Sequence, residues 1–195
     1  MENEPLIDET LKSELEALYQ AADRHYHGLA HIKAMLALAT EYRQLLDDPE
    51  AVEAAIWFHD AIYDNEAKSA QLAEKKLAGR VDPRRLARIA AMINATATHQ
   101  LPLRDEKTLN DAALLLDMDL AILGAEPAVF DAYEKAVRSE YGWVEEPMWR
   151  AGRADVLKSF LARAHIFYTI KFRDRFEAQA RENLGRSLQG LQDQS

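Results

Sequence analysis

Apolar residues recur at i, i+3, i+4 and i+7 through most of this 195-residue chain, and Pro and Gly are sparse, at 6 and 7 residues. That spacing lays one apolar stripe along a helix of about 3.6 residues per turn. The period-2 alternation of a half-buried strand is absent, so a sheet is not expected. The pattern predicts a first helix through TLKSELEALYQAAD, capped by Asp8 or Thr10, and a second from near Gly28 through LAHIKAMLALATEYRQLL. A third covers PEAVEAAIWFHDAIY, from Pro49 to Tyr63. SAQLAEKKLAG, DPRRLARIAAMINATATH, LNDAALLLDMDLAIL and AVFDAYEKAVRSEYG follow, then a long pair from near Pro147 with a frayed GRSLQGLQDQS tail. The expected fold is all-α.

A hydrophobic content of 48% is ample for a core, and no repeat, linker or composition shift marks a boundary. One compact helical domain over residues 1–195 is therefore expected. The net charge of -9 disfavours a broad nucleic-acid-type basic surface, although a local basic pocket is compatible with it. With no cysteine, disulfides, thiolate zinc sites and a cysteine nucleophile are excluded, so any metal site must use nitrogen and oxygen. MENEPLIDET is acidic without an apolar run, and no window approaches the roughly 18 apolar residues of a membrane span. A soluble cytoplasmic protein is the expectation, and no feature excludes a homo-oligomer.

The chemistry-bearing residues sit on apolar faces. His59 has Ala55, Ile56, Ile62 and Tyr63 as helical neighbours, and Asp60 shares Ile56 and Tyr63. A buried carboxylate is costly unless paired. Three of the 6 histidines crowd into DRHYHGLAHI as His25, His27 and His31, the last beside Ala34 and Met35. Asp119 is flanked by Leu115, Leu116, Ile122 and Leu123, while Asp117 is scarcely more polar in surroundings, so the pattern does not choose between them. Each group alone reads as a satisfied core histidine, a cap or a buried acceptor. A single divalent cation accounts for His31, His59, Asp60 and an aspartate of the last pair together, since imidazoles and carboxylates would offset its charge. Adjacent helical positions diverge by about 100°, so His59 and Asp60 would reach an ion lying between their directions.

The order His31, His59-Asp60, Asp119 resembles the HD-domain superfamily of metal-dependent phosphohydrolases. RHYHGLAHI, AIWFHDAIYDNEAKSA, LLDMDLAILG, YEKAVRSEYGWV and GRADVLKSFLARAHIFYT together look like a bacterial branch described as predicted metal-dependent HD phosphohydrolases. The resemblance spans about residues 19–183 and implies an HD-domain-like bundle. It makes His31, His59, Asp60 and Asp119 the metal ligands, with Asp119 matched by its place before the LAIL run. Binuclear members carry further histidines between the HD pair and the last aspartate; only His99 lies there, so one metal ion is implied.

Such an ion lowers the pKa of bound water and polarises a phosphoryl oxygen, so no protein nucleophile is needed. Asp60 would act both as ligand and in catalysis. Glu66 lies one face-repeat after His59 if the third helix continues past Tyr63, which would make it a general acid/base; a helix-capping acid is the alternative. Arg24 and Lys68 are candidates to hold phosphate oxygens, and His27 and His99 to contact substrate, His99 reading equally well as a helix C-terminal histidine. Arg138, Arg150 and Arg153 could bind substrate or pair with Glu140, Glu145 or Asp155. The implied substrate is a small phosphate ester, with nucleotides among the candidates, and the ion is manganese, iron, cobalt, nickel, zinc or magnesium. Rival readings are a non-catalytic metal-containing nucleotide-binding or sensing module, a metal-free structural bundle, and an oxygenase.

Overall fold

The computed structural model describes residues 5–63, 65–102 and 105–193. Among the described residues the regular elements are helices, with no strand beyond an isolated bridge between Ala78 and Val81. The fold is all-α, as the periodicity predicts. No helix among these residues is long and apolar enough to cross a membrane. Contacts gather into two compact units, Met1–Asp119 and Leu120–Ser195, where the sequence shows no composition boundary.

The first unit is built from α1 (Glu9–Leu18), α2 (Leu29–Glu41), α3 (Pro49–Phe58), α4 (Glu66–Leu77), α5 (Pro83–Thr96) and α6 (Glu106–Leu120). Its centre is α3. Ala51, Val52, Ala54, Ala55, Ile56, Trp57 and Phe58 are all buried, so this helix keeps almost no polar face and packs against α2, α4 and α5. Each large apolar side chain so buried contributes about 1.5–3 kcal/mol. Asp48 caps α3 by accepting from the Ala51 amide at 3.2 Å, and Pro49 fits the first turn, where no amide partner is needed. The preceding amides of Asp47 and Asp48 donate to the fully buried Asp111 carboxylate of α6, at 2.8 and 3.1 Å, which pins the start of α3. α4 ends at Ala78 because Gly79 takes a φ of +77°, a left-handed conformation that costs glycine little.

The third helix was expected to run to Tyr63; it stops at Phe58, with His59 as its C-cap. Side-chain groups take over the backbone partners there. The Arg24 guanidinium takes the Asp60 and Ala61 carbonyls, and Ser69 Oγ bonds the Ile62 amide at 3.0 Å. Asn65 then caps α4 by accepting from the Lys68 amide.

The second unit contains α7 (Pro127–Glu140), α8 (Glu146–Leu161), α9 (Ile170–Phe172), a π-helical turn at Arg173–Glu177, and α10 (Ala178–Gln192). α10 packs on α8 and on the 3-10 turn Ala121–Gly124, burying Phe130, Leu157, Phe172 and Leu184 within the unit. Fully buried Asn183 donates to the Leu123 and Ala125 carbonyls at 2.9 and 2.8 Å. α10 continues to Gln192, so the segment expected as a frayed tail is helical that far; residues 194–195 lie outside the described set. Arg138 pairs with Glu146, and Arg153 with Glu134 and the Tyr133 hydroxyl, rather than with the acids expected from sequence.

Candidate metal centre

Four side chains of the first unit converge. His31 occupies the third position of α2, His59 caps the end of α3, Asp60 follows it, and Asp119 is the penultimate residue of α6. His31 and His59 are buried, and the side chains of Asp60 and Asp119 are only 14% and 12% exposed. The two Nε2 atoms stand 3.3 Å apart. Asp60 Oδ2 lies 3.1 Å from His59 Nε2 and 3.8 Å from His31 Nε2. Asp119 Oδ1 lies 3.1 Å from His31 Nε2 and 3.8 Å from His59 Nε2. Two donors each about 2.1 Å from a shared ion are about 3.0–3.4 Å apart at octahedral or tetrahedral angles, so the shorter separations are those of ligands around one centre.

The hydrogen bonding points the same way. His59 Nδ1 is 2.9 Å from the Ile56 carbonyl oxygen, which only accepts, so Nδ1 carries a proton and Nε2 is the ring nitrogen turned toward the carboxylates. Asp60 Oδ2 is buried and has no hydrogen-bond partner among the described residues. Lone pairs facing one another in a buried space favour a positive charge between them, carried by a proton or by an ion. The titration directions agree: burial opposes charge on His59, yet the Asp60 and Asp119 carboxylates push its pKa up to about 9. Burial likewise acts to raise Asp60 and Asp119, but the imidazoles overcome it, drawing Asp60 down to about 2 and Asp119 well below the carboxylate range. His31, His59 and Asp119 can hold a metal ion, and the orphaned Asp60 oxygen fits the same donor set.

α3 ends at Phe58 with His59, in right-handed helical conformation, as its C-cap, and Asp60 Oδ2 stands 3.1 Å from His59 Nε2. Asp117 is fully buried but outside the donor group.

The remaining candidates divide. His99 lies beyond α5 with a φ of +49°, and its Nε2 is 3.0 Å from Asp119 Oδ2, so it braces a carboxylate of the cluster, which the sequence reading as a substrate contact or helix-end histidine did not foresee. His27 packs its ring against Tyr26 and Tyr63. Glu66 opens α4; the helical repeat that would have tied it to His59 is broken by the turn between them. Lys68 is exposed on α4. Arg24, expected at phosphate oxygens, instead directs its fork at three protein carbonyls. The sequence also gave no sign of Tyr19, whose hydroxyl donates to the Trp57 carbonyl at 2.9 Å; burial and the nearby Asp60 charge push its pKa well above 10. No known protein family, curated protein or solved structure was found to match the chain.

Proposed function

We propose that the chain is a metal-dependent phosphohydrolase of the HD type, acting on a small phosphate ester such as a nucleotide. The observation that carries the reading is Asp60 Oδ2, buried without a hydrogen-bond partner among the described residues and facing the Nε2 atoms of His59 and His31. His31, His59, Asp60 and Asp119 would hold one divalent ion, two neutral nitrogens and two carboxylates together suiting manganese, iron, cobalt, nickel, zinc or magnesium. Such an ion would supply Lewis acidity to a phosphoryl oxygen and acidity to water. The chain's own residues set up that chemistry. Ile56 fixes the His59 tautomer, His99 holds the Asp119 carboxylate, and the buried surroundings strengthen every charge interaction. His27 and Lys68 are the proposed substrate contacts, and Glu66 the proposed proton-transfer group.

A screen of metal-depleted protein against manganese, cobalt, nickel, zinc and magnesium, crossed with phosphomonoesters, phosphodiesters and nucleotides, tests the reading. Turnover that a chelator abolishes and Asp119→Asn removes is expected. Stoichiometric metal binding with no turnover across the whole panel would overturn the enzymatic reading.

A further inference from the structure

Among the described residues, Asp60 Oδ2, the oxygen that faces both imidazoles, has no group other than those rings to aim it. Its direction therefore depends on how the main chain of the His59–Ala61 turn is held. Arg24 holds it. Nη1 donates to the carbonyl oxygens of Asp60 at 2.7 Å and His27 at 3.0 Å, and Nη2 donates to that of Ala61 at 3.1 Å. One guanidinium thus ties the turn after α3 to the histidine segment that leads into α2, across 36 residues of sequence. Its Cζ also lies over two rings, 5.0 Å from the Tyr19 centroid and 5.5 Å from that of Tyr63.

These contacts suit arginine alone. The guanidinium is planar, keeps its charge at any working pH and presents five N–H donors in fixed directions from two separated terminal nitrogens, whereas lysine offers a single compact ammonium on a flexible stem. Two of the carbonyls, of Asp60 and Ala61, lie just past the end of α3, and a cation there also offsets the negative end of the helix dipole. We infer that Arg24 is a positioning residue of the metal centre, fixing the Asp60 carboxylate against His59 and His31 through the backbone it clamps. The inference rests on the proposed metal site and assigns that site a component which touches neither ion nor substrate.

Cobalt(II) titration of the metal-depleted full-length protein tests it, read by calorimetric Kd and by the cobalt d–d absorption bands, with Arg24→Lys and Arg24→Ala beside the unsubstituted chain. Thermal unfolding of each metal-free form is recorded in parallel. About 10- to 100-fold weaker binding and altered bands in Arg24→Lys are expected, with partial recovery when free guanidinium ion is added to Arg24→Ala. Bands and Kd unchanged in both variants overturn the inference. So does a loss of affinity that only tracks loss of thermal stability and that guanidinium leaves unrestored, because Arg24 is then a general fold contact. Failure of the unsubstituted chain to bind cobalt overturns instead the metal-centre reading beneath it.

Discussion

His31 Nε2 and His59 Nε2 face each other across 3.3 Å inside the first unit, with a carboxylate oxygen 3.1 Å from each. Two protonated rings at that distance would repel, and two neutral rings would leave a lone pair against a carboxylate. A shared cation relieves both. The purified protein is expected to bind about one divalent ion per chain, and His59→Gln to lose it, as measured by elemental analysis after gel filtration. Chelation should leave most of the helical circular dichroism, because α3 is buried by apolar contacts that owe nothing to the ion. Two tightly held ions per chain, or unfolding on chelation, would contradict this account.

Asp117 and Asp119 give a sharper contrast, since one is wholly buried away from the donor group and the other belongs to it. Asp119→Asn should abolish metal binding with little change in unfolding temperature. Asp117→Asn should retain the ion and lose about 1–3 kcal/mol of stability through its disturbed buried contacts. The reverse outcome would place the wrong aspartate at the centre.

His99 bonds the oxygen of Asp119 that faces away from His31. His99→Ala should weaken metal affinity by about 10- to 100-fold while leaving the saturating stoichiometry at one. An unchanged Kd would reduce the His99 contact to a surface hydrogen bond.

At the other end of α3, Asp48 takes both Arg85 Nε at 2.8 Å and Nη2 at 2.6 Å. Burial acts to raise the Asp48 pKa, but the Arg85 bonds prevail and hold it below the usual carboxylate value. A depressed folded pKa contributes stability that is present above the unfolded value, about 3.9, and lost as pH falls through the folded one. Asp48→Asn keeps a capping side chain and removes the charge. It should cost about 1–2 kcal/mol in urea unfolding at pH 7, with the gap closing below about pH 4.

Much of this was legible in the chain. The helical period located the starts of α2 through α8 to within a few residues, and the buried neighbours of His31 and His59 marked two donors that the fold does bring together; the third, Asp119, was indicated by the order of family-like motifs, because its neighbours did not set it apart from Asp117. The turn after Phe58 was not legible, because Ala61, Ile62 and Tyr63 continue the apolar period and the groups that break it, Arg24 and Ser69, act from elsewhere in sequence. The same reason hid the roles of Arg24 and His99. Both are set by long-range contacts over 36 and 20 residues, which no local pattern encodes.

The position of Asp119, one residue before the end of α6, bears on how the centre comes into being during synthesis. Chains emerge from the ribosome N-terminus first, and domains tend to fold as they emerge. Until α6 is out, the nascent chain has His31, His59 and Asp60 but lacks Asp119, so the four-donor set of the proposed centre is incomplete. Completion of the proposed donor set is thereby deferred until the whole first unit has been made, and α6 docking is the step that would close it.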